Sequence, residues 1–134
     1  MAWNIETSHD EVALLMEAGL IYRDARRFDD AAAVFKGVRA LLPKSEVPEI
    51  ALGTLAFESG NLDTAITHYQ AALRINSGSA YAHSHLAEAY LVRRNLDAAR
   101  DHLRRAMELD PRGETGRYAR SLGEWIVMLE SKSQ

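Results

Sequence analysis

The densest grouping of side chains able to do chemistry lies at residues 83–88, where His83, Ser84, His85 and Glu88 fall within about two helical turns. Helical positions two apart point about 200° away from each other, so His83 and His85 cannot close on one metal ion. His85 and Glu88 share a face with Ser84 beside them, but adjacent helical residues diverge and nothing nearby supplies an oxyanion hole. No His-Glu-x-x-His occurs, cysteine is absent, and Gly113 and Gly116 lack the lysine and strand of a phosphate-cradling loop. The residues therefore point away from a metal, a cofactor and catalysis. Glu88 reads better as a polar contact on a binding surface.

The chain has 134 residues, 47% of them hydrophobic and 26% charged, with 16 basic and 19 acidic side chains and a net charge of −3. That describes one soluble domain, too apolar for disorder and too short for scaffolds of about 250 residues. A disulfide framework is excluded by the missing cysteines. The start of the chain is neither basic nor apolar, and no run approaches 18 apolar residues, so a cytoplasmic protein without membrane insertion is expected. Well-mixed charges give no general reason to bind nucleic acid.

Residue types return every 34 positions: Ala31, Ala65, Ala99; Phe28, Leu62, Leu96; Phe35, Tyr69, Leu103; Leu41, Ile75, Leu109. These series define three ungapped units, 12–45, 46–79 and 80–113, after a short segment 1–11 and before a capping helix and tail at 114–134. A turn signal splits each unit into two helices, at Arg26–Asp29, Gly60–Asp63 and Arg94–Asp97, for seven helices in all. Asp29, Asp63 and Asp97 are expected to cap the second helices, Ser45 and Ser79 to cap first helices, and Ser8 with Glu11 to form a capping box. Gly60 suits a left-handed cap. Pro43 and Pro111 separate units. In the last segment Tyr118, Leu122, Trp125, Ile126 and Leu129 keep the spacing of one helical face.

This pattern resembles the tetratricopeptide repeat. Matching positions include Leu15, Gly19, Tyr22 and Ala31 in the first unit, Leu52, Gly53, Ala65 and Tyr69 in the second, and Leu86, Ala87, Tyr90 and Ala99 in the third. Ala18, Val38, Glu49, Ala56, Ser77 and His83 depart from the expected sizes. The resemblance implies an all-α, right-handed superhelix (an α-solenoid) of three helix-turn-helix repeats closed by a C-terminal capping helix. It also implies a non-enzymatic function, binding a peptide or helical segment in a groove made by the first helices.

Transferred by register, that groove presents Ala13, Met16, Leu20 and Arg23, then Val47, Ile50, Thr54 and Phe57, then Tyr81, Ser84, His85, Glu88 and Leu91. Met16, Leu20, Ile50, Phe57, Tyr81 and Leu91 would form an apolar patch fitting a protein partner with an apolar segment. Phe57 has a second role open to it, turning inward beside Ala56. Members that grip C-terminal carboxylates need basic residues where Met16, Leu20, Ala51 and Tyr81 stand. Three repeats and a closing helix look like the small chaperones of type III secretion translocators. Trp3 and Ile5 would serve homodimerisation or staple the first helix. A scaffolding or self-assembling subunit acting through convex or end surfaces is the alternative.

Charge is uneven. Residues 93–120 hold eight arginines against five acids, while 1–92 hold seven bases against twelve acids. Arg93, Arg94, Arg100, Arg104 and Arg105 either attract an acid-flanked partner or pair with Asp97 and Asp101 along the helix surface.

Overall fold

The computed structural model describes residues 9–132, so Trp3, Ile5 and Ser8 lie outside the described part. Seven helices follow in order: α1 (His9–Asp24), α2 (Phe28–Leu41), α3 (Val47–Glu58), α4 (Leu62–Ile75), α5 (Ala80–Val92), α6 (Leu96–Leu109) and α7 (Glu114–Lys132). Each packs on the next, and α7 rests on α5 as well as α6, giving an all-α helical repeat solenoid. No described helix is long and apolar enough to cross a membrane.

The 34-residue series is a packing code. Ala31, Ala65 and Ala99 are wholly buried where the two helices of a unit meet. Opposite them, a Cβ on Gly19 would come within 2.3 Å of the Phe35 ring, and one on Gly53 within 2.6 Å of the Tyr69 ring. The glycines thus create the slots that those aromatic rings fill, and burying each ring stabilises the fold by roughly 2–3 kcal/mol.

The turns also repeat. Gly60 has φ +85°, and Arg26 and Arg94, one unit before and after it, hold left-handed φ values of 60° and 64°. Two of the three turns therefore carry a side chain where glycine is at ease.

The caps differ from expectation. Asn61 and Asn95 accept from the amides of Thr64 and Ala98, both at 3.3 Å, while Arg27 at the corresponding place makes no side-chain cap. Asp29, Asp63 and Asp97 fall two residues later, inside the first turn, where a carboxylate still favours the helix dipole. Ser79 caps α5 through the amide of Ala82 at 3.1 Å. Ser45 instead accepts from Val47, and Glu46 occupies the cap position of α3. Asp110 receives the amides of Gly113 and Gly116 at 3.0 and 3.3 Å and so starts α7.

Two departures from the repeat pattern prove to be equivalent. Glu49 is buried and bound by Arg39 of α2 at 3.2 Å and by His68 of α4 at 2.7 Å. One unit later His83 faces His102 across α5 and α6, with 3.0 Å between their Nδ1 atoms. Trp125 is a correction: it is 63% exposed, because α7 packs through Gly116, Ala119 and Ile126, with Leu122 and Leu129 at the edge.

Candidate functional site

Helices α1, α3, α5 and α7 line one continuous depression made of three adjoining clefts. The upper cleft, of about 350 Å³, is bounded by Met16, Leu20, Arg23, Val47, Ile50 and Tyr81. Leu20 and Tyr81 are 38% and 48% exposed, whereas Met16 and Ile50 are half-buried. Thr54 and Tyr81 also line the middle cleft, of about 470 Å³, so the two are joined. Phe57 and Glu88 in turn connect the middle cleft to a lower one of about 440 Å³, which includes Leu91, Leu122 and Trp125.

Chemistry in the middle cleft is set by burial. The His85 ring lies 4.2 Å from that of Tyr81, 5.9 Å from Tyr69 and 5.8 Å from Tyr118. Desolvation there pushes its imidazole down to about 4, leaving it neutral at neutral pH. Tyr69 donates its hydroxyl to Thr54 Oγ1 at 3.2 Å, and burial pushes that phenol up to about 12. Glu88 is half-buried, and loss of water raises its carboxyl above the ordinary range. Ser84 does not engage His85: its hydroxyl donates to the Tyr81 carbonyl at 2.8 Å.

Among the expected groove residues, Met16, Leu20, Arg23, Ile50, Thr54, Phe57, Tyr81, His85 and Glu88 come together along these clefts. Phe57 fills both roles open to it, packing on the cluster around Ala56, Tyr69 and Leu86 while lining two clefts. Ser84 and Leu91 belong to the floor, not to the exposed patch. Ser84 is wholly buried, and Leu91 packs in a core with Ala87, Ala99 and Leu103. The reason is that α5 is covered by α6 on one side and α7 on the other. Ala13 is exposed but lines none of the three clefts.

The arginine-rich segment turns away from this depression. Arg93 pairs with Asp63, Arg100 with Asp97 and Glu130, Arg104 with Asp101 and Arg105 with Glu108. Arg94 is the member of that group that reaches a cleft, the lower one.

Residues 50–114 match the family model described as tetratricopeptide repeat. That match covers just under half of the chain, and the 34-residue series over 12–113 resembles the same repeat. No curated sequence matches the chain. Among solved structures it is similar to the Yersinia enterocolitica type III secretion chaperone SycD in complex with a peptide of the translocator YopD, with TM-score 0.80 and 21% identity over 95% of this chain and 98% of that one. PcrH from Pseudomonas aeruginosa aligns with TM-score 0.80 and 21% identity over 95% and 99%. The first TPR of Spaghetti (RPAP3) bound to the HSP90 peptide SRMEEVD gives 0.79 and 19% over 96% and 99%. At these identities the likeness is one of fold.

The tetratricopeptide register also accounts for groove residues that the sequence reading missed. Thr115, Tyr118, Leu122 and Trp125 stand 34 positions after Tyr81, Ser84, Glu88 and Leu91, and all four line the middle or lower cleft. Carrying the register one step past the third repeat would have found them. Helix α7 is thus the first helix of a further unit as well as a cap.

Proposed function

We propose that this chain is a non-enzymatic, cytoplasmic protein-binding module that holds a peptide or helical segment of another protein in its groove, in the manner of a small chaperone. The observation that carries this reading is the continuity of the three clefts across α1, α3, α5 and α7, with Leu20 and Tyr81 substantially exposed and Met16, Ile50 and Phe57 half-buried along it. Apolar side chains left open in a concave surface gain most from covering by a partner's apolar segment. The repeats at 12–45, 46–79 and 80–113 would act as the scaffold, with α7 as the fourth wall. The similar SycD structure, in complex with a YopD peptide, supports a groove of this fold as a peptide site. An acidic peptide such as the SRMEEVD bound by RPAP3 is a poor fit here, because Met16, Leu20, Ala51 and Tyr81 stand where repeats that grip C-terminal carboxylates need basic residues.

The test places a photocrosslinking amino acid at Leu20 or Tyr81 in the full chain, expressed in its native host, and identifies the captured protein by mass spectrometry. Capture should disappear with Ile50→Glu and persist with Arg74→Glu, on exposed α4 surface outside the three clefts. Capture that survives Leu20→Glu and Ile50→Glu alike would favour a convex or end surface and overturn the groove reading.

A further inference from the structure

The middle cleft differs from the upper one in both walls and charge. Tyr69, Tyr81, Tyr118 and Phe57 present aromatic surface, with the His85 ring among them. Three carboxylates, Glu58, Glu88 and Glu114, come from α3, α5 and the first turn of α7, and no lysine or arginine lines the cleft. Glu58 has Arg23 at 3.7 Å, whereas among the described residues no cation stands within ion-pair distance of Glu88 or Glu114. His85, held neutral by burial, supplies no offsetting charge.

Two independent attractions therefore select the same kind of group. The π faces of tyrosine and phenylalanine attract cations and disfavour anions. Glu88, half-buried, attracts a cation more strongly than it would in water, the exposed Glu58 and Glu114 add to that field, and all three would repel an acid. The upper cleft offers mainly apolar side chains, with Arg23 and Glu46 of opposite sign. Because Tyr81 and Thr54 border both spaces, adjoining residues of one guest would reach the two clefts together.

We infer that the middle cleft takes a lysine or arginine side chain of the guest polypeptide, beside an apolar side chain seated in the upper cleft. This rests on the groove being the guest site. It also reverses the charge expected of a partner from the arginine-rich segment, since of Arg93, Arg94, Arg100, Arg104 and Arg105 all but Arg94 are tied up in surface pairs.

The experiment is a display selection of random dodecapeptides on the full-length protein, run in parallel on wild type, on Glu88→Gln with Glu114→Gln, and on Ile50→Glu, with helicity of each checked by circular dichroism. Wild type should enrich peptides with a basic residue next to an apolar pair. Replacing that residue by glutamine should weaken binding about tenfold in fluorescence anisotropy, and the preference should vanish in the double glutamine variant. Enrichment of apolar peptides without a basic residue, lost in Ile50→Glu, would overturn this inference and leave the groove reading standing. Peptides indifferent to Ile50→Glu, or no enrichment at all, would overturn both.

Discussion

In the second unit Glu49 on α3 meets His68 on α4 at 2.7 Å, and thirty-four residues later His83 on α5 meets His102 on α6 at 3.0 Å. The first unit has Leu15 and Val34 in the same places. One structural slot is thus filled by an apolar pair, an acid and a base, and two bases. Each polar pair reaches beyond its own helix pair: Glu49 also binds Arg39 on α2, and His83 also bonds the Ser77 carbonyl in the preceding loop. The repeat demands that the slot be filled and every polar atom partnered, and it leaves the chemistry free. A carboxylate facing an imidazole attracts the proton that the ring carries, whereas two facing imidazoles share one proton and repel when each has its own.

That difference predicts that acid weakens the third unit first. His83, His85 and His102 are all pushed below 6.5, chiefly by burial. Between each folded-state value and 6.5 the unfolded chain binds more protons, so stability present above pH 6.5 is lost as the pH falls. For His85 the window runs from 6.5 to about 4 and is worth about 3 kcal/mol when fully crossed. Glu88, pushed the other way, opposes the loss at the acid end. Urea unfolding at about pH 7.5 and about pH 4.5 should show the drop, and His85→Phe should remove most of it. An equal drop in that variant would place the sensitivity elsewhere.

The second unit should respond to deletion. Glu49→Ala leaves Arg39 and His68 without their carboxylate and is expected to cost about 2 kcal/mol in urea unfolding. A cost under about 0.5 kcal/mol would mean that the clasp between units is incidental. Converting the third unit to the first unit's solution, His83→Leu with His102→Val, should be neutral or stabilising by up to about 1 kcal/mol at neutral pH, since both partners of the bond leave together. A large loss there would show that the slot is not interchangeable.

The smallest effect concerns the turns. Arg94→Gly should raise stability by about 0.5–1 kcal/mol by relieving a left-handed arginine, while Gly60→Ala should lower it by a similar amount. Thermal unfolding of the two variants checks the pair, and any shift of Arg94→Gly in the same direction as Gly60→Ala would contradict it.

The helices and the interhelix slots were legible in the sequence because small and large residues recur at fixed positions, and close packing leaves few other ways to arrange them. Gly53 against Tyr69 is such a case. Caps were less legible: asparagine and aspartate both cap helices and lie two residues apart in these turns, so residue type alone did not choose between Asn61 and Asp63. The depth of Ser84 and Leu91 was hidden because it depends on α7 covering α5. The pairing of His83 with His102 needed the register to be applied to departures from the motif as well as to matches.

Helix α7 sets the length of what the groove can hold. An α-helix with its side chains is about 10 Å across, so a fourth wall lengthens the depression by roughly that much. An extended chain advances about 3.3 Å per residue, so the fourth wall lengthens the guest that can be held by about three residues. Cutting the chain before Glu114 would therefore shorten the footprint of the guest as well as bare the core of the third repeat.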